Sequence, residues 1–153
     1  MNETEIRTIV APLTEGYVML PSTAVAEVLN FSSPKPLKGA PAWLLGELAW
    51  QDWQVPIISY ERLINAHVNR IAASRARILI IKTLGESTLV NYIGLVIQGL
   101  PMLRKVSATT LVEQEADELP DIVFSLVSID GMQAIIPRLG NLTRTVEQAA
   151  YDR

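Results

Sequence analysis

The sequence predicts an all-β, barrel-like protein with two short helices. Short apolar runs recur along the chain, each bounded by Gly, Pro, Asp, Asn or Ser. Pairs of runs flank tight polar turns at residues 14–16, 51–52 and 130–131. The firmest helix signals lie after Ser59 and in the C-terminal segment. Together these give about eight or nine short strands and two helices, which point to a barrel.

The elements follow in chain order. Residues 6–13 and 17–20 form a first hairpin around Thr14, Glu15 and Gly16, and Pro21 ends its second strand because proline cannot donate to a ladder. Residues 22–29 suit either a helix or a strand: Val25 and Val28 share a helical face, yet the β-branched content favours extension. Three prolines, two lysines and Gly39 make residues 30–41 a stiff loop. Residues 43–58 form a second hairpin, turning at Gln51 and Asp52, with Pro56 limiting local hydrogen bonding. Ser59 caps a helix that holds Glu61 in its first turn, and Tyr60, Ile64, His67 and Ile71 line one face. Residues 77–82 and 88–97 are strands separated by a turn at residues 84–87. Gly94 inside the second marks a bulge, bend or close backbone approach. Residues 102–106 are a further strand, and the acidic stretch 113–121 is a solvated loop. Asp130 and Gly131 turn the clearest hairpin, residues 122–137, because that dipeptide accepts positive φ. A C-terminal helix follows, capped by Asn141 or Thr143 and carrying Glu147.

Bulk properties narrow the function. The 153 residues suit one domain, 1–153, able to bury a core without crosslinks, and the absence of cysteine removes disulfides and thiolate chemistry. Hydrophobic residues make up 49% and charged residues only 19%, so part of the apolar content is available for a partner surface. The net charge of −3 is unevenly spread: residues 35–82 hold seven basic side chains against three acidic, and residues from 83 onward hold five against nine. That asymmetry suits orienting a protein partner. It is too dilute for nucleic acid, which gathers many cations on one face. No apolar run crosses a bilayer as a helix and no leader pattern opens the chain, so a cytoplasmic protein without direct membrane insertion is the expectation.

Catalytic signals are sparse. His67 is the one histidine and reads first as a partly buried helix residue. Glu113, Glu115, Asp117 and Glu118 lack the glycine and alternation of a calcium loop. There is no Gly-x-Ser-x-Gly elbow and no phosphate-binding glycine loop, so neither an enzyme nor a cofactor or metal site is expected. Trp43, Trp50 and Trp53 crowd one hairpin. Packing accounts for one or two; a third beside a two-residue turn reads as an interface anchor, with simple packing as the alternative. Arg62, Arg70, Arg75 and Arg77 either solubilise that side or add to the contact.

The order of these signals resembles the CheW-like coupling domain of bacterial chemosensory systems. Tyr17-Val-Met-Leu-Pro21 leading into Val25-Ala-Glu27-Val28 resembles the family's early strand and its Val-x-Glu-Val/Ile element. The run from Gly46 to Tyr60 resembles the signature Gly-x-x-Asn-x-Arg-Gly-x-x-x-Pro-x-x-Asp-Leu, and Tyr92-Ile-Gly94-Leu-Val-Ile97 is similar to the family's Gly-Leu-Val-Val-Asp strand. The resemblance implies two small β-barrel subdomains sharing a hydrophobic core. It also implies a non-catalytic adaptor between a methyl-accepting receptor and a CheA-type histidine kinase, able to pair with other CheW-like domains and to be recruited to membrane-associated receptor arrays. The Leu- and Trp-rich character resembles members attached to pilus-type clusters, which implies control of surface motility. Candidate interaction residues are Glu27, Val28, Gly46, Trp50, Gln51, Asp52, Trp53, Pro56 and Arg62, with Gly94, Asp130 and Gly131 structural. This sequence departs from the pattern at Gln51 (Arg in the family), Asp52 (Gly), Ser59 (Asp) and Gln98 (Asp). Loss of the arginine puts the standard ternary coupling in doubt and leaves an accessory module with one partner as an alternative. A small-ligand-binding barrel is the rival class, and it requires an enclosed cavity.

Overall fold

The computed structural model describes residues 4–65, 74–83, 89–115 and 118–151. Eleven strands occur among them: β1 (Ile6–Pro12), β2 (Tyr17–Pro21), β3 (Val25–Asn30), β4 (Leu44–Trp50), β5 (Trp53–Ile58), β6 (Arg77–Lys82), β7 (Tyr92–Ile97), β8 (Met102–Val106), β9 (Leu111–Glu113), β10 (Val123–Ile129) and β11 (Met132–Pro137). Two α-helices accompany them, α1 (Tyr60–Ile64) and α2 (Leu139–Tyr151).

The strands form two sheets, ordered β8-β1-β2-β11-β10-β9 and β3-β6-β7-β5-β4. The five-stranded sheet is built from one continuous stretch, inserted between the second and third strands of the six-stranded one. Both sheets curl. In the smaller sheet, Trp50 of edge strand β4 donates its indole N–H to Glu27 of the opposite edge, β3, at 3.0 Å. In the larger sheet, the edge strands β8 and β9 are joined by a tight turn in which Ser107 O accepts the Thr110 and Leu111 amides. These contacts bring the two edge strands of each sheet close to one another.

Period-2 alternation sorts the apolar residues into three buried clusters. Val10, Met19, Val106, Val127, Ile129 and Ala134 fill the inside of the six-stranded sheet. Val55, Ile57, Ala76, Ile78, Ile80 and Val96 fill the inside of the five-stranded one. The alternate residues, among them Val18, Leu20, Leu79, Ile81, Leu95 and Ile97, meet between the sheets with Leu142 and Val146 of α2. Burial on both faces explains why β6 and β7 read as continuous apolar runs. Gly94 belongs to this packing: a side chain there would strike Ile57 and Ile78.

The structure corrects several expectations. Residues 22–29 are neither simply helix nor simply strand: Ser22–Ala24 is one 3-10 turn, and Val25 opens β3. Part of the acidic stretch is ordered, since Glu113 ends β9, pairs with Val127 and accepts a bond from the Ser125 hydroxyl at 3.3 Å. The C-terminal helix begins at Leu139, so neither Asn141 nor Thr143 caps it. Asn141 instead donates to Asp121 O at 2.8 Å, and Thr143 donates back to Leu139 O at 2.8 Å. Ser59 does cap α1, accepting the Arg62 amide, and α1 ends at Ile64. Glu61 stands in the first turn of α1 as expected and also serves a second turn: its carboxylate takes the Thr14 amide at 2.8 Å and the Thr14 hydroxyl at 3.0 Å, tying the first hairpin to α1. His67, Arg70, Ile71, the turn at residues 84–87 and Asp117 lie outside the described residues.

Candidate protein-interaction surface

The tip of the β4–β5 hairpin gathers most of the candidate residues. Trp50 and Trp53 face each other across a two-residue turn, so both indoles lie on one face of the hairpin. Gln51 and Asp52 form the turn with φ of 50° and 66°, left-handed backbone that Asp accepts readily and Gln does not. Parallel pairing of β5 with β7, Ile57 opposite Gly94, brings Tyr92 alongside. Its ring meets Trp50 edge-on at 4.9 Å and Trp53 at 5.5 Å, arrangements favoured by the aromatic quadrupole. Trp50 is half-buried against the inside of the sheet, while Trp53 is 43% exposed.

Glu27 completes the cluster from β3. Its Oε2 accepts the Trp50 indole N–H, and among the described residues neither Glu27 nor Asp52 forms an ion pair. Both acids are exposed, so the cluster combines an aromatic face with two uncompensated carboxylates. Val28 lies on the opposite face of β3, 37% exposed.

Other candidates sit apart from the tip. Gly46 and Pro56 are buried in the body of the hairpin. Gly46 has φ of 145°, and a Cβ there would collide with the Lys35 backbone, whose amide and carbonyl pair with Glu47 at 2.8 and 2.9 Å. The role of Gly46 is thus to let the 31–43 loop lie against β4. Arg62, on α1, donates to Ala42 O at 3.1 Å, at the hairpin's base rather than its tip. Trp43 is half-buried against the shared core, and its carbonyl accepts the Ser59 amide. Asp130 and Gly131, with φ of 50° and 79°, turn the β10–β11 hairpin on the other sheet.

Sequence reasoning missed Tyr92 as a site residue. Its place at the start of an apolar strand was visible, but its contact with the tryptophans depends on a non-local parallel pairing. Two ionisable phenols are perturbed. Burial pushes Tyr60 up, while its hydroxyl donates to Ile122 O at 2.8 Å. Burial first, then the charge of Glu47 and their hydrogen bond, push Tyr151 up to about 12. That bond, 3.1 Å long, ties the end of α2 to the outer edge strand of the hairpin.

The described residues contain no group of three or more His, Asp or Glu placed to hold a metal, and no helix among them is long and apolar enough to cross a membrane. A cleft of about 230 Å³, lined by Glu15, Tyr17, Gln114 and Gln133, opens on the six-stranded sheet where β2 pairs with β11.

Comparisons agree with this geometry. The CheW-like domain family profile matches residues 7–147. Among solved structures, the scaffolding protein TtCheW from Thermoanaerobacter tengcongensis is similar, with a TM-score of 0.74 at 18% identity over 91% of this chain and 92% of that one. That likeness establishes the shared fold. The search of curated proteins found no match.

Proposed function

This chain belongs to the CheW-like domain family, and we propose that it is a non-catalytic chemosensory adaptor holding a methyl-accepting receptor and a CheA-type histidine kinase in fixed relation. The observation that carries this reading is the β4–β5 tip: an exposed tryptophan on a strained turn, backed by a packed sheet. An adaptor between two partners requires rigidity and two contact surfaces, not a tuned pKa. Three buried clusters supply the rigidity and the aromatic tip supplies one of the surfaces. Within that role the protein works in the cytoplasm as one CheW-like domain, joins receptor arrays, pairs with other CheW-like domains, and serves a pilus-type system controlling surface motility.

The ligand-binding alternative finds less support. The inner faces of both sheets carry close-packed side chains, and the open cleft of about 230 Å³ falls below the usual range of small-molecule sites, roughly 300 to 1,000 Å³. The single-partner accessory reading draws on Gln51, which stands exposed at the tip without the charge of the family arginine.

The test is capture from native lysate with the full chain as bait, read by mass spectrometry beside Trp53→Ala. Recovery of a chemosensory kinase together with a methyl-accepting receptor, reduced by the substitution, is the expected result. Recovery of only one of the two would select the accessory reading. Recovery of neither by a folded bait would overturn the proposal.

A further inference from the structure

We propose that the aromatic tip of the five-stranded sheet receives a cationic side chain, specifically an arginine, from the docked protein. The inference rests on the adaptor reading in one respect only, that the arginine is carried by a protein partner.

The tip offers the two things a guanidinium recognises. Trp53 presents exposed ring surface beside Tyr92, and a planar cation stacks on such faces. Glu27 uses Oε2 for the Trp50 indole, and among the described residues Oε1 has no hydrogen-bond donor. Asp52 adds a second carboxylate at the turn itself. An apolar occupant would strip water from these acids and return no partner, which costs free energy. A cation satisfies the carboxylates and the rings at once.

The protein does not supply that cation from its own described residues. Lys82 faces Tyr92 across the β6–β7 ladder, yet it is exposed and makes no ion pair with Glu27 or Asp52. The cation–π contact that is present lies elsewhere, with Arg138 over the Phe124 ring at 5.3 Å. Arginine is favoured over lysine because its flat fork can stack and donate simultaneously, whereas an ammonium is a compact, strongly hydrated point charge.

The experiment titrates the full chain, labelled with nitrogen-15 at its indoles, with the peptide acetyl-Gly-Arg-Gly-amide and with its citrulline counterpart, which keeps the shape and loses the charge. Saturable movement of the Trp50 and Trp53 indole resonances, with Trp43 still, is expected for arginine, and binding about tenfold weaker for citrulline. Glu27→Gln retains an acceptor for the Trp50 indole, so the fold is kept while arginine binding falls to the citrulline level. Equal binding of the two peptides, or no movement at Trp50 and Trp53, overturns the proposal. Kinase capture by the unaltered bait is scored separately. A captured kinase with indifferent peptides removes the arginine site alone. Discriminating peptides without a captured kinase or receptor uphold the site and remove the adaptor reading.

Discussion

The protein's β4–β5 and β10–β11 hairpins have the same two-residue turn and opposite chemistry. At β10–β11, Asp130 and Gly131 adopt positive φ with residues suited to it, and a Cβ on Gly131 would meet nothing within 4 Å. At β4–β5 the same backbone is taken by Gln51, which suits it less than Asp130 does, and by Asp52 where the other turn has glycine. The second turn is the less stable choice, and it sits beside the aromatic cluster and the two unpaired acids. Strain kept beside an exposed aromatic cluster fits the contact role proposed for this tip. The relaxed turn closes a sheet; the strained one presents side chains.

The largest effect that would break this comparison lies at the hairpin's base. Gly46→Ala is expected to cost about 3 kcal/mol, because the new Cβ combines positive φ with a collision against the Lys35 backbone. Chemical denaturation checks this, and the same method should give only about 1 kcal/mol for Gly131→Ala, where the space is open. Next comes the exposed indole. Trp53→Ala is expected to lose about 2 kcal/mol of partner affinity, roughly thirtyfold, with little change in folding stability, as measured by calorimetric titration with the captured kinase. Trp50 is the poorer probe, since its removal also unpacks the sheet's interior and strands Glu27.

Relaxing the strained turn sharpens the contrast from the other side. Asp52→Gly is expected to stabilise the fold by about 1 kcal/mol and to weaken the partner, showing stability and binding moving in opposite directions. The smallest effect is at Tyr151. Tyr151→Phe should change stability by less than about 0.5 kcal/mol near neutral pH, the level of a surface contact. The sign with pH is fixed by the raised phenol: its folded value of about 12 lies above the ordinary phenol value of 10.0, so the contribution is complete below 10.0 and is lost as pH climbs towards 12. Absorbance titration of the phenolate, wild type against Tyr151→Phe, reads that step directly.

Much of this fold was legible because its turns declare themselves. Gly16, Asp130 and Gly131 marked two hairpins, and the apolar runs flanking them predicted β1, β2, β10 and β11 closely. The doubly buried β6 and β7 were readable as strands from β-branched content, though not that their two faces serve different cores. Residues whose structure depends on distant partners were the ones misread. Glu113 looked like solvated loop because its strand is short and is held by pairing with β10. Glu61 is in the first turn of α1 as read, but nothing local reveals that Thr14 also lies against it. The candidate site divides the same way. Trp50, Trp53, Gln51 and Asp52 are neighbours in sequence and were found together, whereas Glu27 and Tyr92 join them through sheet curling and a parallel pairing.

We propose the strained hairpin tip as a working contact surface of a chemosensory adaptor. The most direct measurement is the affinity of the full chain for the kinase it captures, compared across wild type, Trp53→Ala and Gly131→Ala in one calorimetric series. Binding weakened about thirtyfold by Trp53→Ala and unmoved by Gly131→Ala is the expected result. Equal affinity for all three folded proteins would contradict it, and would place the contact away from the β4–β5 hairpin.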